Sequence, residues 1–182
     1  MKKLMMFAAL VVALASCQSN GKKSEELAVT THSIDVAWDK TTGLLKRYTV
    51  AGKQLLGQGG TLKPNFWRAV TDNDMGGSAN KDYKAWFNPE MKLTSMNIKK
   101  GAKGMADVAV VNAIYDMPTV KAQLTLTYNV AADGSITVTQ AMKTSKGANV
   151  SPMFRFGMLM ELPYNMDQTS FYGRRPIDNY AD

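Results

Sequence analysis

The residues best equipped for chemistry gather in one stretch of this chain. Leu62 to Gly77 reads LKPNFWRAVTDNDMGG and holds Trp67, Arg68, Asp72, Asn73 and Asp74 between a proline and two glycines. Long irregular segments rich in aromatics and carboxylates often carry function. An indole face suits stacking on a sugar ring, and Asn73 and Asp74 suit hydrogen bonds to hydroxyls. Trp86, after Asp82-Tyr83, is a second candidate sugar platform. The same residues also suit a structural role. Phe66 and Trp67 can pin the segment to a core, Arg68 can pair with an aspartate, and Trp86 can be loop packing. Both readings stand at this point. Asp72 and Asp74 offer hard oxygen ligands, but the Gly and the bidentate Glu of a calcium loop do not follow. No metal and no cofactor are expected.

The single His and single Cys exclude a disulfide framework, a Cys-rich zinc site and a His cluster. His32 stands directly before the first predicted strand, with no Ser or Cys nucleophile in view, and reads as a surface or edge residue. Cys17 belongs to different chemistry. Lys2 and Lys3 precede the apolar run LMMFAALVVAL, and Ala15, Ser16 and Cys17 follow at once. This is the layout of a secretory signal, with an apolar run too short to span a bilayer comfortably.

Leu14-Ala15-Ser16-Cys17 resembles the bacterial lipobox. The resemblance implies cleavage before Cys17 and lipid on its thiol. Gln18 is not the aspartate linked to inner-membrane retention, so outer-membrane anchoring is expected. Residues 1–16 then form the signal peptide, and residues 17–30 a flexible tether (QSNGKKSEE at its heart). Without Lys2 and Lys3 the net charge falls from +7 to +5. The remaining basic residues are spread along the chain, with no stripe and no nucleic-acid motif, so no nucleic-acid partner is expected. Arg174 and Arg175 read as a solvated face, and Lys99, Lys100 and Lys103 as a turn.

The elements that must position Leu62 to Gly77 are strands. Ile34, Val36 and Trp38 alternate with polar or small residues, which predicts a half-buried strand. Asp39 to Gly43 is a turn, and Leu44 to Val50 returns. Lys53 to Leu56 continues the meander. Val120 to Val130 alternates throughout, with Leu124, Leu126 and Tyr128 on one face and Gln123, Thr125 and Thr127 on the other. That pattern predicts an antiparallel sheet with one wet face. Asp133-Gly134 is a hairpin signal, and Ile136 to Met142 returns. Asp107 to Tyr115 and Phe154 to Leu162 are further predicted strands, and Ser170 to Tyr172 begins another. Lys81 to Phe87 reads as one helical turn or a loop. The fold class is all-β, an antiparallel sandwich.

Four ordered motifs resemble one family. Pro64-Asn65-Phe66-Trp67-Arg68-Ala69 with Thr71-Asp72-Asn73-Asp74 resembles the PNFWRAPTDND signature in the C-terminal "small chain" domain of glycoside hydrolase family 2 beta-galactosidases, with Val70 in place of the usual Pro. Asp39, Thr42, Gly43, Leu44 and Tyr48 resemble its DKxTGxLxxY hairpin. Pro152 to Leu162, with Arg155-Phe156-Gly157-Met158, resembles its PRFGM strand. Tyr172-Gly173-Arg174-Arg175-Pro176 and Asp178-Asn179-Tyr180 resemble its YGRGPxENYxDR stretch, with Arg175 and Asp178 replacing Gly and Glu.

The resemblance implies a galactose-mutarotase-like supersandwich over residues 31–182, incomplete because the family domain continues further. Retaining hydrolysis of β-galactosides needs two carboxylates about 5 Å apart. In the family these are glutamates on an upstream barrel, which 182 residues cannot supply. No catalytic residue carries over. The implied role is support of an active site located elsewhere, with a barrel-containing hydrolase subunit as candidate partner. The alternative is a lipid-anchored carbohydrate-binding module using Trp67, Arg68, Asn73, Asp74 and Trp86.

Overall fold

The computed structural model describes residues 26–101 and 107–170. Cys17 and the Tyr172–Asp182 motif therefore lie outside the described residues. Among the described residues ten strands make two sheets, and every strand pairing is antiparallel. The first sheet has the order β1-β2-β3-β5-β10, with β4 on β3. Its strands are β1 (Glu26–Thr30), β2 (Ile34–Asp39), β3 (Leu45–Val50), β4 (Lys53–Gln54), β5 (Leu62–Asn65) and β10 (Gly157–Met160). The second sheet is the meander β6 (Lys92–Lys100), β7 (Asp107–Met117), β8 (Ala122–Ala131) and β9 (Ile136–Thr144). Two short helices, α1 (Asp72–Gly76) and α2 (Ala79–Asp82), follow β5.

Alternation decides which residues fill the space between the sheets. Ile34, Val36, Trp38 and Leu45 from one sheet join Val111, Ala113, Tyr115, Leu124, Leu126, Tyr128 and Val130 from the other in one buried cluster. The Trp38 ring meets the Tyr128 ring edge-on at 5.5 Å, a favoured aromatic geometry. Tyr48 Oη donates to the Gly134 carbonyl at 2.6 Å and ties β3 to the β8–β9 turn. Burial pushes the Tyr115 and Tyr128 hydroxyls well above the ordinary phenol range. Both hydroxyls, and Trp38 Nε1, are buried without a hydrogen-bond partner among the described residues.

Several sequence expectations need correction. Glu26–Thr30 is not tether. It pairs with β2 over its whole length, because Val29 buries fully against the core and Arg47 holds Glu26 at 2.7 Å. The β2 alternation breaks at a bulge between Ala37 and Trp38, so both are buried. Pro118–Val120 is a 3₁₀ turn ending in Lys121 at φ +49°, and the strand starts at Ala122. The strand expected from Phe154 shortens to Gly157–Met160 because Phe154 and Phe156 turn into aromatic packing. Lys99 and Lys100 close β6 rather than forming a turn. β4 ends at Gln54, short of Leu56, which is buried in the core. Ser170 lies in no strand.

Candidate functional site

β5 leads straight into the signature segment. Phe66 is buried and packs on Trp86 at 5.5 Å and Phe156 at 6.0 Å, which fastens the segment to the core. Asn65 Oδ1 accepts the Trp67 N–H at 3.1 Å, a local turn that swings the chain off the sheet. Half-buried Trp67 then meets Phe154 at 4.7 Å and Phe87 at 5.4 Å, both edge-to-face. Tyr83 contacts the same Phe154 ring at 5.1 Å.

Arg68 is the hinge between this aromatic cluster and α1. Its guanidinium lies 4.7 Å from the Phe154 centroid, a cation–π arrangement. It also grips Asp74 through two bonds, Nη1 to Oδ2 at 2.6 Å and Nη2 to Oδ1 at 3.0 Å. Such fork-to-fork pairs are strong and geometrically specific. Thr71 caps α1: its Oγ1 accepts the Asp74 N–H at 3.4 Å, while its own N–H reaches Asp74 Oδ2 at 2.7 Å. This is a capping box with Asp in place of Glu. The Arg68 guanidinium first, and then the Thr71 amide, hold the Asp74 carboxyl far below the usual aspartate range.

The arrangement decides what these residues can do. Both Asp74 oxygens accept hydrogen bonds from Arg68 or Thr71, so Asp74 clamps the segment to the start of α1. Among the described residues, no three acidic, His or Cys side chains group as metal ligands. Trp86 is 1% exposed and its Nε1 donates to the Ser151 carbonyl at 2.8 Å. A ring enclosed in this way has no face to offer a sugar, so the platform reading of Trp86 is corrected. Asn73 stands exposed on α1, and Phe87 is 64% exposed beside Trp67. The structure thus brings Trp67, Arg68 and Asp74 together and sets Trp86 beneath them.

Sequence reasoning missed Phe87, Phe154 and Tyr83, which line the same cluster. Only the Thr71-x-x-Asp74 spacing was available as a local signal, since it announces a capped helix. A separate cleft of about 310 Å³ opens where Leu27 and Lys40 face Leu93, Thr94, Ser95 and Met96. It shares no residue with the Trp67 cluster.

The described glutamates are each ion-paired to a basic side chain. Glu26 pairs with Arg47, Glu90 with Lys92, and Glu161 with Lys63. A family model described as the beta galactosidase small chain matches residues 30–182. The chain belongs to the beta-galactosidase small chain family. Similar proteins include beta-galactosidases of Priestia megaterium (28% identical over 162 residues), Halalkalibacterium halodurans (30% over 148) and Lactobacillus delbrueckii subsp. bulgaricus (32% over 122). These alignments cover 88%, 81% and 64% of this chain but only 15%, 14% and 11% of the relatives. In this small chain, the Arg68–Thr71–Asp74 clamp and the ring cluster around Phe154 give the family's signature segment a structural reason.

Proposed function

We propose that the chain acts as a beta-galactosidase small-chain domain that supports a β-galactoside-hydrolysing active site carried by another polypeptide, a barrel-containing hydrolase subunit. The supporting observation is the family match together with the state of the carboxylates. Asp74, the best-placed acid of the signature segment, is committed to Arg68 and Thr71. A retaining glycosidase uses two carboxylates about 5 Å apart, whereas Glu26, Glu90 and Glu161 are each engaged by a basic side chain.

The test uses a chromogenic β-galactoside. Purified chain alone should release no chromophore above buffer, and co-expression with a barrel-bearing subunit should give activity that co-purifies with both. Hydrolysis by the chain alone, abolished by removing one of its own carboxylates, overturns the proposal.

A lipid-anchored carbohydrate-binding module is the second reading. Exposed Phe87 beside Trp67, with Asn73 on α1, favours it. Titration calorimetry with galactosides should then show binding that Phe87→Ala abolishes, and no heat at millimolar sugar rejects it. Either role places the chain at a membrane if Cys17 carries lipid. Cys17→Ala should then leave the membrane fraction, and an unchanged distribution rejects the anchor.

A further inference from the structure

Among the described residues the second sheet has two outer strands, and they are built differently. β6 carries exposed Lys92, Lys99 and Lys100 and a bulge at Thr94, whose Oγ1 donates to the Ile114 carbonyl at 3.0 Å. Lysines and bulges keep an exposed strand from pairing with another chain. β9 lacks both through most of its length. Ile136 to Met142 reads ITVTQAM, without charge, Pro or Gly, and stays in unbroken register with β8. An uncharged, β-favouring segment of that length on an outer strand is prone to add a further strand.

Backbone polarity shows which groups are on offer. The Ser135 carbonyl accepts the Ala131 N–H at 2.9 Å and so faces β8. Successive residues of an antiparallel strand turn their N–H and C=O to opposite sides. The N–H and C=O groups of Ile136, Val138, Gln140 and Met142 therefore face away from β8. Gln140 belongs to this outward-facing set. Its side chain lies on the half-buried face between Val138 and Met142, and its Nε2 is buried with no hydrogen-bond partner among the described residues.

We propose that β9 pairs with β9 of a second copy of this chain, antiparallel about a two-fold axis at Gln140. Opposite residues then share a face, as an antiparallel ladder requires. Gln140 then sits opposite the second copy's Gln140 at the axis. Val138 meets Met142 on the core side, and Thr139 meets Ala141 on the outer side. Asp133 at the head of one β9 comes alongside Lys146 beyond the tail of the other. Parallel stacking would set Lys143 against Lys143 instead, so charge selects the two-fold arrangement. The two four-stranded sheets become one continuous sheet. This surface shares no residue with the Trp67 cluster and does not depend on the support role.

Sedimentation equilibrium of the full chain in density-matched mild detergent tests it. The expected mass is twice that of the chain. Thr139 and Ala141 are exposed, so substitutions there leave the core intact, which far-UV circular dichroism checks. Thr139→Lys with Ala141→Lys sets like charges opposite each other and should give monomer. Thr139→Lys with Ala141→Glu sets opposite charges together and should restore the dimer. A monomeric parent, a dimer indifferent to the Lys/Lys pair, or loss of the dimer in both variants overturns the proposal.

Discussion

Asp74 shows how one carboxylate can be recruited for architecture. Arg68 and Thr71 favour its ionised form, so its folded pKa lies below the unfolded value of about 3.9. A depressed acid contributes stability that is fully present above the unfolded value and is lost as pH falls through the folded one. Asp74→Asn should therefore melt earlier than the parent at neutral pH. The gap should stay constant down to about pH 5 and narrow below about pH 4. Thermal melts across that range check it, and a gap that widens in acid contradicts the clamp. Thr71→Ala removes the helix cap and should cost about 1 kcal/mol at any pH where Asp74 is charged.

At the level of elements, alternation carried most of what the sequence revealed. β8 and β9 were legible because every second residue changes character, and the DG turn announced their hairpin. β1 was hidden because two glutamates follow a polar run. Glu26 becomes a strand residue by pairing with Asp39, and Lys46 and Arg47 on the neighbouring β3 take up its charge. β6 was hidden because its lysines look like a turn. The candidate site was legible in Trp67, Arg68 and Asp74, whose types and spacing are local. Phe154 was beyond reach because it arrives from the far end of the chain.

Turns can be tested in the same terms. Gly43 lies at φ +71°, and a Cβ there would sit 2.5 Å from Tyr115 Oη and 2.7 Å from Leu93 Cδ1. Gly52, at φ +76°, has nothing within 4 Å. Gly52→Ala should cost about 1–2 kcal/mol for the left-handed backbone alone. Gly43→Ala should cost roughly 1–3 kcal/mol more for overpacking, and Tyr115→Phe should recover part of that excess. Equal costs at the two glycines in urea unfolding would refute the contact.

Viewed as a whole, the molecule wears its apolar surface unevenly. Phe156, Leu159 and Leu162 are 48%, 43% and 50% exposed on and beside β10, at the rim of the first sheet. Exposed apolar side chains on an outer strand favour association. Leu159→Lys with Leu162→Lys should raise the solubility limit of the purified chain while the melting temperature stays within a few degrees. A lower melting temperature with unchanged solubility would place these residues in the core instead.

The partnership of β5 with β10 also sets an order in time. Roughly 90 residues, including the entire second sheet, separate Asn65 from Gly157, its partner in that ladder. A ribosome adding about 5–20 residues per second takes on the order of 5–20 s to cover that distance. Throughout that interval β5 has emerged and its last neighbour has not. The second sheet, whose strands pair in the order they are made, can fold during the wait. Synthesis thus delivers every strand of the second sheet before the last strand of the first.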